Sequence, residues 1–322
     1  MRRTFLRTLA GVSLAALCGG AIAQAYPSQP VQMVVPFPAG SISDVVARIV
    51  ADKLGGRLGQ PVLVQNRPGA GATIGSGEVA RAKPDGHTIL FGGNSTLTIN
   101  PFLYRKVPYD PQKDFQPLTM AGEIPTVLIA RKDLGIDSMA DLLRIARERP
   151  GKVSIAYGSA TSNVAIQMLN RAAGIDLAAV PYRGEPLGMA DLLGGHVDLM
   201  ILNLPVAYQQ ILDGRVKAIA MPGNRSVEAL PNVPLASQAV PGYTMPNGWL
   251  AMWVPAGTPA AITERLHREI VAILHLPDVR AKILATGGYF LYTTTPAELQ
   301  ARTDQDAARW ASMIKTAGIE LQ

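Results

Sequence analysis

A short apolar strand, a turn of Pro, Gly and Ser, and then a helix: this unit constrains the chain more than any other feature. It first appears at 31–48, VQMVVPFPAGSISDVVAR. Val31 to Val35 is an apolar run of strand length, Pro36-Phe37-Pro38-Ala39-Gly40 interrupts it, and Ser41, Ser43 and Asp44 suit the first turn of a helix. The turn therefore joins the C-terminal end of a strand to the N-terminal end of a helix. There the first N–H groups have no partner inside the helix and the dipole favours negative charge, so the geometry suits an anion such as a carboxylate. Gly40 lets a ligand approach the backbone. The same residues also make sense without a ligand, with Ser41 or Ser43 as a cap and the prolines shaping a tight connection.

The unit repeats. Val45, Val46, Ile49, Val50 and Leu54 follow at helical spacing, with Gly55-Gly56 expected to end or fray that helix. Pro61–Gln65 is a strand before the glycine-rich turn Asn66–Gly75, and Thr88–Phe91 runs into Gly92-Gly93-Asn94-Ser95-Thr96. Thr126–Ala130 is a strand, and Ser138 caps a helix to Arg149. Val153–Tyr157 ends in Gly158-Ser159-Ala160-Thr161-Ser162-Asn163, and another strand ends in Val180-Pro181-Tyr182-Arg183-Gly184. His196–Leu202 leads through Asn203-Leu204-Pro205 to a helix ending at Leu212, and Val216–Met221 is a strand. Such a series implies an α/β fold of mostly parallel sheets flanked by helices, with ligands gathered at strand C-terminal ends.

The last third changes character. Trp249–Val254 reads as a strand, Thr258-Pro259 opens a helix carrying Ile262, Leu266 and Ile270, and Thr295-Pro296-Ala297-Glu298 is a capping box for a helix to Ala317. The expected organisation is two α/β domains: 26–123, then 124–248, with 249–322 returning to the first. The chain would cross near Gly122–Ile124 and again near Asn247–Leu250.

A length of 322 residues, 48% hydrophobic and 17% charged, is ample for two such domains. Residues 1–25 read as a cleavable export signal, with a basic start, an apolar run from Leu9 to Leu17, and small residues before cleavage after Ala23 or Ala25. Arg2-Arg3 also fits a twin-arginine signal; the general secretory route is slightly favoured. The apolar run is shorter than the roughly 20 residues that span a bilayer. Losing Arg2, Arg3 and Arg7 with this segment lowers the formal charge from +6 to +3, a modest excess without charge blocks that suits an anionic ligand rather than nucleic acid. Cys18, the single cysteine, lies in the same segment, so a soluble periplasmic protein without disulfides is expected.

Other chemistries are poorly signalled. Gly69, Gly71 and Gly75 are one residue too wide for a dinucleotide fingerprint, and Gly92-Gly93-Asn94 stands where an acidic ribose ligand would be needed. Ser159 lies outside a G-x-S-x-G elbow and has no histidine beside it, so a hydrolase is disfavoured. His87, His196, His267 and His275 lack zinc-ligand spacing. No enzyme activity, cofactor or metal is expected. Arg183 can clamp a carboxylate or serve in an ion pair.

The ordered set of motifs, Pro36–Gly40 with Asp44 and Ala47-Arg48, Asn66–Gly71, Lys83-Pro84-Asp85-Gly86, Asn100-Pro101, Val180–Gly184, Asp191–Gly195 and Pro255–Pro259, resembles the Bug (tripartite tricarboxylate transporter receptor, TctC-like) solute-binding proteins over essentially the whole mature chain. The resemblance implies a two-domain, type II-like periplasmic binding protein that closes on a small carboxylate and delivers it to the large and small membrane subunits of a transporter. It implies a ligand held by Phe37, Ala39, Gly40, Ser41 and Ser43 of the first turn and by Ser159, Ala160, Thr161, Ser162 and Asn163 of the second domain. Ser95, Tyr182, Arg183, Gly184 and Leu202 complete that expected lining. A receptor signalling to a sensor kinase would use the same closure, and a monomer is the simplest state for a hinged cleft. Three positions depart from the family pattern: Ser41 replaces a usual second glycine, Thr161-Ser162-Asn163 with Gln167 replaces a glycine-rich run with a following histidine, and Leu202 replaces a common aspartate. The last change removes a partner for a ligand amino group, which leads to the expectation of a non-amino, more apolar carboxylate or a pocket that has drifted.

Overall fold

The structure, a computed structural model, describes residues 26–319 and 321. The expected export signal and Cys18 lie outside the described residues. Two five-stranded sheets organise the molecule. The first has the order β2-β1-β3-β10-β4, with β1 Val31–Val35, β2 Val62–Asn66, β3 Thr88–Gly93, β4 Phe115–Ile124 and β10 Gly248–Pro255. The second has the order β7-β6-β8-β5-β9, with β5 Thr126–Arg131, β6 Ser154–Tyr157, β7 Ala178–Pro181, β8 Leu199–Asn203 and β9 Val216–Ala220.

The two sheets share one plan. β1 pairs in parallel with β2 and β3, and β6 with β7 and β8, while β10 and β5 run antiparallel to both neighbours. Each antiparallel strand is the one the chain enters on crossing from the other sheet. Only Pro125 separates β4 from β5, and β10 follows the return. The central strands β1 and β3 are almost wholly buried, which is why they read as continuous apolar runs rather than alternating ones.

Helices cover both sheets. They are α1 Ile42–Leu58, α2 Thr73–Ala80, α3 Asn100–Leu103, α4 Met139–Glu148, α5 Ala160–Ala173, α6 Glu185–Leu193, α7 Leu204–Leu212, α8 Ala260–Leu274, α9 Pro277–Leu284 and α10 Pro296–Ala317. Helix α1 does not stop at Gly55-Gly56 but runs to Leu58 and ends at Gly59, whose φ of 76° closes it and whose N–H returns to Gly55 O. The absent side chain at Gly55 serves packing: a Cβ there would lie 3.4 Å from Gln60 O. The capping box of α10 forms as its sequence requires, Thr295 Oγ1 accepting from Glu298 N and Thr295 N donating to Glu298 Oε2.

The tail holds three helices rather than two long ones, and they pack differently. Leu266, Ile270, Ile273, Val279 and Ile283 of α8 and α9 join Val46, Val50 and Leu54 in the core of the first sheet. Helix α10 leans on both halves. Leu299 packs with Trp249 and Trp253, whereas Trp310 and Ile314 share a core with Val164 and Leu169 of α5 and with Ile99 and Leu103 from the first half of the chain. Among the described residues no helix is long and apolar enough to cross a membrane.

Candidate functional site

The C-terminal ends of β1, β3, β6, β7 and β8 meet between the two sheets. Ser41 caps α1 with extended backbone, its Oγ accepting from Asp44 N at 3.3 Å. Behind it Asp44 is a brace: Gly40 N and Asn66 Nδ2 each donate to its carboxylate at 3.0 Å, and Arg48 Nη2 stands 2.9 Å away. Asn66 Nδ2 also donates to Phe37 O, tying the end of β2 to the turn. Burial alone would raise the Asp44 carboxyl, but Arg48, the Gly40 N–H and Asn66 outweigh it and hold it below the usual carboxylate range.

The matching turn in the second half is built differently. Ser159 caps α5, its Oγ accepting from Ser162 N at 3.2 Å and lying 3.0 Å from Ser162 Oγ. No carboxylate braces this turn. A third element, the π-helical turn Ser95–Ile99 after β3, brings Asn94 and Ser95 across the cleft. Asn94 Nδ2 donates to Thr161 Oγ1 at 3.0 Å, Ser95 Oγ lies 3.3 Å from the same atom, and Asn94 Oδ1 accepts from Trp249 N at 3.4 Å. Gly184 also touches the other half: with φ of 136°, a Cβ on it would come within 2.4 Å of Pro38 Cγ.

These elements enclose an inner cavity of about 40 Å³, room for a few water molecules or one end of a small ligand. Its polar wall includes Ser41, Ser43, Asn94, Ser95, Ser159 and Thr161, and its apolar wall includes Phe37, Ile42, Ile124, Trp249 and Leu250. Among the described residues no Lys, Arg or His lines it, and the one ionisable lining group is Glu185. That residue opens α6, is 5% exposed, and accepts from Asn203 N at 3.0 Å and Asn203 Nδ2 at 3.1 Å. Burial pushes its carboxyl up to about 7, with the two Asn203 donors pulling the other way. A Cβ at Gly158 would fall 2.4 Å from Glu185 N, so this close seat requires glycine.

Of the residues singled out in the sequence, Phe37, Ser41, Ser43, Ser95, Ser159, Thr161 and Gly184 line the inner cavity. Ala160, Tyr182 and Arg183 line an adjoining outer compartment, which shares Phe37, Pro38, Gly158, Ser159 and Gly184 with the inner one. Arg183 is exposed there, and the Tyr182 hydroxyl donates to Asp191 at 2.7 Å. Ala39 and Gly40 face solvent, with the Gly40 N–H spent on Asp44. Ser162 and Asn163 are buried in the first turn of α5. Leu202 lies in the core beneath the second sheet with Val127, Ile129 and Met200, because adjacent strand residues point to opposite faces and its neighbour Asn203 takes the cleft side. Sequence reasoning missed Glu185, Asn203, Ile124 and Trp249. Asn203 just before Leu204-Pro205, and Glu185 just after Gly184, each stand at a helix start and carried the available signal.

A family model described as the tripartite tricarboxylate transporter family receptor matches residues 46–319. A protein encoded in the tcbD-tcbE intergenic region of Pseudomonas sp. strain P51 is 39% identical over 316 residues, covering 96% of this chain and 93% of that one. The solved structure of the periplasmic binding protein BugD is 35% identical with a TM-score of 0.87, covering 92% of this chain and 100% of its own. Rpa4515 of R. palustris, solved with adipate, is 30% identical with a TM-score of 0.88 over the same shares.

Proposed function

The chain belongs to the tripartite tricarboxylate transporter receptor family, a family of periplasmic solute-binding proteins rather than enzymes, and from that premise we propose that it captures a small carboxylate between its two domains and delivers it to a tripartite membrane transporter. One observation carries this reading. The capped N-termini of α1 and α5, one from each half, open with Ser41 and Ser159 on a single cavity whose wall is otherwise hydroxyls, amides, apolar side chains and the one carboxyl of Glu185. Such a site can hold an anion by N–H groups and dipoles without any lysine or arginine. The relative solved with adipate supports a carboxylate as cargo.

Closure is the second part of the proposal. A ligand touching both turns binds only when they are close, so it stabilises the arrangement in which Asn94 and Ser95 meet Thr161 and Pro38 meets Gly184. That arrangement is the surface the membrane subunits would read. The working form is a periplasmic monomer beginning near Tyr26 after removal of the export signal.

The test is a thermal-shift screen of the chain from Tyr26 onward against mono-, di- and tricarboxylates, amino acids, and aromatic acids such as benzoate and nicotinate. A ligand that binds only the folded form raises the melting temperature by linkage, and a carboxylate that does so supports the reading. A folded protein that responds to none of them overturns it.

A further inference from the structure

Glu185 is the one feature of the cleft that a carboxylate-binding site does not call for. It is an acid on the wall of a cavity meant for an anion, nearly fully buried, and it has no cation beside it. The groups that share its cavity come from both halves: the turn before α1, Asn94 and Ser95 after β3, Gly158 after β6, Gly184 before α6, Asn203 at the end of β8, and Ile124, Gly248 and Trp249 at the ends of β4 and β10. None of these is ionisable. The charged and titratable groups nearby are engaged elsewhere or face out: Tyr182 with Asp191, Asp44 with Arg48, and Arg183 in the exposed outer compartment.

Two donors already fill part of the carboxyl's capacity. Asn203 N points at Oε1 and Asn203 Nδ2 at Oε2, so the remaining positions on those oxygens are the ones available to the cavity. If ionised, Glu185 would offer a ligand carboxylate only repulsion across a space that holds just a few water molecules. If protonated, it offers a hydrogen-bond donor of the kind the hydroxyls of Ser41, Ser159 and Thr161 also supply.

We propose that Glu185 occupies the ligand-bound cleft as a neutral carboxylic acid that donates to an acceptor oxygen of the ligand, so that capture of the anion takes up a proton from solvent wherever the free carboxyl is ionised. The inference rests on the carboxylate reading of the cleft. No bond other than Glu185 Oε–H forms. The rise of the free carboxyl to about 7 makes the neutral form available near neutral pH, and a bound anion favours it further. Glu185 thereby sets specificity: it favours cargo with a carboxylate or keto oxygen facing α6 and disfavours cargo held at high pH.

The test uses the chain from Tyr26 onward with malate, adipate, benzoate, aspartate and glutamate as probes, titrated calorimetrically between about pH 6.5 and about pH 8.5, where all their carboxyls are ionised. The expected result is an affinity that falls on the order of tenfold across this range, with net proton uptake shown by repeating the titration in buffers of different ionisation enthalpy. Glu185→Gln keeps a donor of similar shape and is expected to bind with a flat pH profile and no proton uptake. The wild-type proton count needs no variant, so a poorly folding Gln protein would not blunt the test. Tight wild-type binding with no proton uptake overturns the inference and leaves the carboxylate reading standing. Proton release, with aspartate or glutamate bound more tightly than malate or adipate, also overturns it, because Glu185 would then be an ionised acceptor for an ammonium. Silence from every carboxylate at every pH overturns the reading beneath it and the inference together.

Discussion

Each half of the molecule keeps an acid at the start of a helix beside the cleft, and the two acids have opposite characters. Asp44 in α1 has a guanidinium, a backbone N–H and a side-chain amide on its carboxylate, which hold it below the usual carboxylate range. Glu185 in α6 has two amide donors from Asn203 and no cation, and burial lifts it to about 7. Helix position and residue class are nearly the same; the counter-charge and the depth differ. An acid at a helix N-terminus is therefore a fixed brace or a titrating group according to whether a cation stands one helical turn away and how deeply packing buries it.

The largest expected effect separates the two by pH. The folded state holds the Glu185 proton up to about pH 7, whereas the unfolded chain releases it near 4.5. Between those values the folded form binds more protons, so stability falls as pH rises, by on the order of 3 kcal/mol for this group. Urea denaturation of wild type and Glu185→Gln from about pH 5 to about pH 8 checks it. The variant should lose most of that slope. For Asp44 the sign reverses: its contribution is present above the unfolded value and is lost only as pH falls through its depressed folded value.

Next comes Asp44→Ala. It takes the acceptor away from the Gly40 N–H and from the Asn66 Nδ2 donor, and should cost about 2 kcal/mol in the same denaturation assay, with weaker ligand capture because the turn loses its brace. Ser159→Ala removes the cap that has no carboxylate behind it, and about 1 kcal/mol of stability with it. A loss in ligand affinity larger than that of Thr161→Val would rank the α5 turn above the cross-cleft bonds to Asn94 and Ser95. Smallest of all, Arg48→Gln should change stability by at most about 0.5 kcal/mol. The guanidinium is more than half exposed and solvent screens the pair. A larger loss would mean that the Arg48 pair stabilises the fold by more than a solvent-screened contact does.

Much of the scaffold is legible in the chain. Apolar runs of strand length ending in Gly, Pro or Ser give most strands and the turns that follow them, and Thr295 to Glu298 announces α10 three residues at a time. Strand β4 is less visible because its ten residues mix Gln, Pro, Thr and Glu with apolar positions, and it takes its place by pairing with β10 from far along the chain. The site divides in the same way. Ser41 and Ser159 follow from local capping chemistry, while Glu185 and Asn203 reach the cavity only because β7 and β8 are brought beside β6. Leu202 shows the converse, a position flagged by likeness whose side chain the pleat turns into the core.

By itself, the sequence determined the alternation of strand and helix, the capped turns that can receive an anion, and the family to which the whole belongs. Those are short-range matters, set by which residues can start, stop or cap an element within a few positions. Only the tertiary structure decided which turns share a cavity, that α10 packs on both halves, that Asn66 of β2 closes on Asp44, and that Glu185 is buried against Asn203 with no cation among the described residues lining its cavity. Burial, and donors such as Asn66 and Asn203 that reach the two acids from other strands, come from neighbours far apart in the chain, and no local window contains them.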